Sequence, residues 1–211
     1  ITTITKDMAS KRHEKMAINS PARANNAMRV LSAVFNYAIA MYDLPNGKPL
    51  ITVNPTAKIT AAKTWRKVTP RDGYIEKKQL KPWFEALRGL EAQKARNNLD
   101  VVRDYLVFCL LTGFRATEAA TLPWHNVDFH ERTFKATDTK NKRDQLLPMS
   151  DHLEELLRRR HRASDGPYVF GNGKGGSITQ DQRKWCKAIT SASGIEFMQH
   201  DLRRTFITIA E

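Results

Sequence analysis

The chain has 211 residues, 41% of them hydrophobic, enough to bury the core of one large domain or two small ones. Its 35 Lys and Arg against 22 Asp and Glu leave a net charge of +13. That surplus favours a polyanionic partner, nucleic acid above all, although basic balance alone predicts only non-specific attraction. No run is apolar for the length of a membrane span, no signal-peptide pattern opens the chain, and Cys109 and Cys186 sit in apolar helical contexts that make no disulfide framework. A membrane-embedded class and a disulfide-stapled secreted class are thereby excluded, and a reducing, cytoplasmic setting is expected.

Taken in order, residues 4–17 read as a helix that Thr5 can cap, with Met8, His13 and Met16 spaced along it. Ser20-Pro21 then opens a second helix running to about Tyr42, because proline is pre-shaped for a first turn and serine caps it. Met28, Val30, Leu31, Val34, Phe35, Ala38 and Ile39 give this helix a broad apolar stripe. Arg23, Asn25, Asn26 and Arg29 lie on its other side, as a solvated face or as a face laid along DNA. Residues 43–55 are rich in turns, and residues 58–71 are basic with little apolar periodicity, which reads as a linker carrying Lys63, Arg66 and Lys67.

A second unit begins near Tyr74. Residues 77–90 form a helix with Leu80, Trp83, Phe84, Leu87 and Leu90 on one face, and 99–111 form the most apolar helix of the chain. That helix stops at Thr112-Gly113, because glycine takes the left-handed conformation without steric cost. Arg115 follows at once, and Glu118, Ala119, Ala120 and Leu122 begin a short new helix. An always-charged guanidinium at a tight corner beside a core suits a phosphate clamp; the plain alternative is an arginine paired with Glu118 three residues on. After Trp124 the period becomes alternating: strands at Val127–Phe129, 133–136 and 145–148, with a polar hairpin tip at 138–144. Ser150 caps a helix to about Ala163 that ends in a basic run, Arg158 to Arg162, which also suits a helix C-terminus. Residues 168–170 read as a short strand. The glycine-rich loop 171–176 matches no nucleotide-binding fingerprint. Residues 179–192 read as a helix closed by Gly194, and His200-Asp201-Leu202-Arg203-Arg204 opens a last helix on which His200 and Arg203 share a face. Ile1 is no initiator methionine and Glu211 falls inside an unfinished helical pattern, so the chain reads as a fragment of a longer protein.

Arg115 with Glu118, a lysine on a β-hairpin, and then His-x-x-Arg, in this order, resemble the tyrosine recombinases, or phage integrases. The resemblance is carried by Thr112-Gly113-Phe114-Arg115-Ala116-Thr117-Glu118, by Thr139-Lys140-Asn141 and by His200-Asp201-Leu202-Arg203-Arg204-Thr205-Phe206. It covers most of the chain and looks most like integrases of prophages and genomic islands. It implies a mainly α fold with a small antiparallel β-sheet. Residues 1–62 would be part of a helical core-binding domain, with Ala24-Asn25 before a long helix and Asn54-Pro55 at its exit. Residues 63–74 would be a basic linker, and 75–211 a catalytic domain lacking its C-terminal end.

What the resemblance implies chemically is cofactor-free and metal-free phosphoryl transfer through a 3′-phosphotyrosine. Arg115 and Arg203 would clamp the non-bridging phosphate oxygens. Lys140 would protonate the leaving 5′-oxygen, with Lys142 as rival and Lys135 as a plain surface lysine. His200 would serve acid–base or hydrogen-bonding work, and Glu118 would orient the site. Arg204 would be structural. Arg23, Asn26, Arg29, Lys63, Arg66 and Lys67 would contact DNA. The partner would be the double-stranded core of an attachment site, bound by a homo-tetramer when the protein is full length. None of Tyr37, Tyr42, Tyr74, Tyr105 or Tyr168 occupies the position of the family's nucleophile, so this chain is expected to bind DNA without cleaving it. The competing readings are a non-enzymatic helical DNA-binding regulator, a helical scaffold and a metal-dependent nuclease. The last is disfavoured because His125 and His130 lack metal-ligand spacing and accompanying carboxylates.

Overall fold

A computed structural model describes residues 3–90, 99–137, 144–164 and 166–210. The chain divides into two compact units, Ile1–Arg71 and Asp72–Glu211. The fold is mainly helical with one three-stranded antiparallel sheet, as the sequence led us to expect.

In the first unit, helix α1 (Lys6–Asn19) packs on α2 (Pro21–Met41) and on the short α3 (Ala57–Ala61). The Thr5 hydroxyl accepts from the Met8 amide at 3.1 Å, and the Ser20 hydroxyl accepts from the Arg23 amide at 3.3 Å, so both caps work locally. Ala9, Met28 and Ile59 form one small core; Phe35, Ala38 and Ile51 form another. The α2 stripe is narrower than its sequence suggests: Val30 and Val34 are exposed, because α1 and α3 cover only the Met28–Phe35 side. The basic segment after Pro55 is also more structured than its composition implies. Ile59 is buried, and the side chain of buried Asn25 donates to the Arg66 carbonyl at 2.8 Å and accepts from its amide at 3.2 Å. Asn25 also meets His13 Nε2 at 2.9 Å, and Trp65 stands edge-on to the His13 ring.

The second unit holds α4 (Lys77–Gly89), α5 (Leu99–Thr112), α6 (Ala116–Ala120), α7 (Asp151–Arg162), α8 (Arg183–Ser193) and α9 (Gln199–Ala210). Strand β1 (Val127–Asp128) pairs with β2 (Thr133–Ala136), which pairs with β3 (Gln145–Pro148). Alternation along β2 buries Phe134 and Ala136 and turns Thr133 and Lys135 the other way. Helix α5 is buried almost all round and runs through the middle of the core, which explains its unbroken apolar run. Phe108 on α5, Phe114 just after it, Phe134 on β2 and Phe170 pack as an aromatic group with centroids 5.4–5.5 Å apart. Two sequence expectations are corrected. Residues 168–170 are no strand: Tyr168 makes an isolated bridge to Pro123, and the Val169 amide bonds the Leu122 carbonyl at 2.9 Å. Helix α8 begins at Arg183, four residues late, because residues 179–182 turn through side-chain bonds of Thr179 and Asp181 to nearby amides. Gly194 closes it at φ +71, as expected.

Candidate active site

The site is built on the corner between α5 and α6. Gly113 sits at φ +64, and a Cβ placed there would overlap Phe206 of α9, so two separate constraints demand glycine. Three residues separate α5 from α6, and Arg115 becomes the residue before the first turn of α6. Glu118 reaches back from that turn. One carboxylate oxygen accepts from the Arg115 amide at 3.0 Å, and the other accepts from its guanidinium Nη1 at 2.7 Å. The Glu118 side chain is largely buried, whereas that of Arg115 is 36% exposed. The i, i+3 pair weighed from the sequence is therefore present, and it fixes a guanidinium that still meets solvent.

Helix α9 docks against this corner and is the principal partner of α5. Its first turn is closed by Asp201, whose carboxylate accepts from the Met198 amide at 2.8 Å, a capping arrangement. Thr205 lies wholly buried: its hydroxyl donates to the Asp201 carbonyl at 2.7 Å and accepts from the Ile75 amide at 2.8 Å. These anchors aim Arg203 at the corner, where its Nη1 donates to the Gly113 carbonyl. A guanidinium carries five N–H donors, and this bond engages one of its three nitrogens. His200, one turn earlier on α9, is exposed. Arg204 instead pairs with Asp201 at 3.4 Å.

Arg115, Glu118 and Arg203 thus come together, with His200 on the same helix as Arg203. Lys140 and its rival Lys142 lie outside the described residues. Lys135 pairs with Asp144 at 2.7 Å. Sequence reasoning missed Tyr105 and Gln199. The buried Tyr105 hydroxyl donates to the Ala116 carbonyl at 2.8 Å and accepts from Gln199 Nε2. The available signal was a tyrosine within an otherwise apolar helix, since a buried phenol needs a hydrogen-bond partner. Burial drives the Tyr105 phenol well above its usual range. It likewise pushes the Cys109 thiol up to about 12 and that of Cys186 to about 11, which keeps both protonated at neutral pH. Among the described residues no group of His, Cys, Asp and Glu could hold a metal ion, and no helix is long and apolar enough to cross a membrane.

In the first unit, Arg23, Asn26, Arg29, Lys63, Arg66 and Lys67 are all exposed. Asn26 accepts from Arg29 at 3.2 Å, Arg29 lies over the Trp65 ring at 5.8 Å, and the Asn25 clasp brings Arg66 to the same part of α2. Lys63 and Lys67 flank that segment.

The fold, mainly helical with one three-stranded sheet, is shared with solved integrases and site-specific recombinases. It superposes on a lambda integrase dimer bound to a COC′ core site with a TM-score of 0.73 at 18% identity, covering 99% of this chain and 74% of that one. It superposes equally on XerH recombinase bound to its difH substrate, with a TM-score of 0.73 at 18% identity, covering 100% of this chain and 60% of that one. The profile of the phage integrase family matches residues 74–209, and the chain belongs to that family. Prophage integrase IntF of Escherichia coli (strain K12) is 32% identical over 146 residues, 66% of this chain and 30% of that protein. Tyrosine recombinase XerA of Saccharolobus solfataricus is 25% identical over 145 residues, 68% of this chain and 47% of that protein. The chain thus spans less than half the length of either curated relative.

Proposed function

We propose that this chain is the DNA-handling part of a site-specific recombinase that integrates or excises a mobile element, acting by strand cleavage and rejoining through a 3′-phosphotyrosine. The observation that carries the reading is the bond from Arg203 to the Gly113 carbonyl, two residues from Arg115. It sets the Arg203 guanidinium on the corner that carries Arg115, and on this reading the two together hold the non-bridging oxygens of a phosphodiester. Charge that builds on those oxygens in the transition state is then stabilised by donors already in place. Glu118 fixes Arg115 from behind. His200 faces solvent on the Arg203 helix, where it can hydrogen-bond the phosphate or move a proton. Lys140 takes the role of general acid toward the leaving 5′-oxygen, with Lys142 as alternative.

On this reading the nucleophile is not among the tyrosines of this chain, none of Tyr37, Tyr42, Tyr74, Tyr105 and Tyr168 matching the family's position; the buried, hydrogen-bonded hydroxyl of Tyr105 supports that for one of them. The chain therefore binds the double-stranded core of an attachment site without cutting it, and the full-length protein acts as a homo-tetramer on DNA in the bacterial cytoplasm. The basic surface of Arg23, Asn26, Arg29, Lys63, Arg66 and Lys67 grips the sugar–phosphate backbone, where contacts give affinity and register.

The test is a duplex-DNA binding isotherm at several salt concentrations, followed by incubation with nicked suicide duplexes. Binding that weakens steeply with salt, with no covalent adduct, is expected. Salt-insensitive failure to bind would overturn the DNA-binding reading, and a denaturation-resistant protein–DNA adduct would overturn the assignment of the nucleophile elsewhere.

A further inference from the structure

We infer that the Tyr105 hydroxyl is a positioning group for the phosphate clamp, tying the segment that carries Arg115 to the turn that carries His200. The inference rests on the clamp reading above. Ala116, whose carbonyl takes the Tyr105 proton at 2.8 Å, is the residue after Arg115; Gln199, whose amide donates to the same oxygen, is the residue before His200. One buried oxygen therefore joins the backbone beside one functional residue to the side chain beside another. The second tie is direct, from Arg203 to the Gly113 carbonyl. Helix α9 consequently grips the corner at carbonyls on both sides of Arg115, once through its own arginine and once through Tyr105.

Packing does not require this hydroxyl. The ring stands edge-on to Phe170 at 5.5 Å inside the core, and phenylalanine would fill the same volume. What the oxygen adds is a donor–acceptor relay between α6 and α9. Because burial raises the phenol above its usual range, the relay keeps its proton at any pH at which the protein works. Rotation of α9 or slippage of α6 breaks one of the two bonds, so the relay holds the spacing of Arg115 and Arg203.

The experiment follows the Nε–H signals of Arg115 and Arg203 by NMR while inorganic phosphate is titrated into the 211-residue protein. The variants are Tyr105→Phe, Gln199→Leu and the double substitution. Both arginine signals move with phosphate in the parent protein. Each single substitution raises the apparent phosphate Kd by about three- to tenfold, the effect of one net hydrogen bond. The double variant is no weaker than the poorer single one, because both break one relay. A Tyr105 with a merely structural role would lower the thermal midpoint and leave the phosphate Kd unchanged in every folded variant; that result overturns the inference and leaves the clamp standing. Parent arginine signals that ignore phosphate overturn the clamp itself, and the inference with it. Should Tyr105→Phe not fold, Gln199→Leu, which keeps the Tyr105 ring in place and gives up in addition only the 3.4 Å bond from the Gln182 amide, decides alone.

Discussion

Two sets of arginines share the larger unit and have opposite fates. The run at the end of α7 is the densest basic stretch of the sequence, yet carboxylates absorb it. Arg158 pairs with Glu154 at 2.8 Å, Arg159 with Asp104 at 2.8 Å and Arg160 with Asp100 at 2.7 Å, and Arg160 is itself buried. Arg115 and Arg203 lie far apart in sequence and come to one corner only in the fold, where Arg115 too pairs with a carboxylate, that of Glu118, at 2.7 Å. Arg203 is held by a backbone carbonyl, which fixes a cation without cancelling its charge. The lesson is that local density of charge does not locate a site.

The contrast can be broken in several ways. The largest effect is expected at the corner's backbone. Gly113→Ala must adopt a positive φ and displace Phe206, and should cost about 2–4 kcal/mol in urea unfolding. Adding Phe206→Ala should not restore the parent stability, because the φ strain persists. Next come matched substitutions in the two arginine sets. Arg203→Met should reduce the slope of log K against log salt for duplex DNA by about 0.9, one phosphate contact. Arg160→Met should leave that slope unchanged and cost at most about 1 kcal/mol, because a buried ion pair is often no better than an apolar side chain, and Arg160 Nε has no hydrogen-bond partner. Equal slopes for the two variants would erase the distinction.

A smaller effect concerns the thiols beneath the corner. Cys109 and Cys186 are raised from an ordinary 9.0 to about 12 and about 11. Unfolded chains release these protons first, so the contribution is complete below pH 9 and is lost as pH rises toward 11–12. Urea midpoints should therefore fall steadily above pH 9, and alkylation at pH 8 should be slow until urea is added. Smallest of all is Asp7→Asn. It removes the exposed Asp7–Lys58 pair and should leave the urea midpoint at neutral pH unchanged.

What the sequence revealed was what neighbouring residues decide. Thr5, Ser20 and Ser150 each cap the helix expected of them, and Gly113 and Gly194 take the left-handed turns that stop α5 and α8. These are interactions across four residues or fewer. Long-range pairing was hidden. Asn25 looked like one more polar residue on a helix face, and it is a buried clasp on a segment 41 residues away. Arg160 looked like solvated charge until Asp100, 60 residues earlier, was seen beside it. The site was half legible: order and spacing nominated Arg115, Glu118, His200 and Arg203, whereas Tyr105 and Gln199 acquire a role only once α9 lies against α5.

The bond between Arg203 and the Gly113 carbonyl makes one side chain answer to two demands. Its hydrogens hold α9 in place and, under the clamp proposed above, also face the anion to be gripped. On that proposal, selection for foldability and selection for grip act on the same guanidinium, and a lysine there, with charge but no planar fork, would satisfy neither.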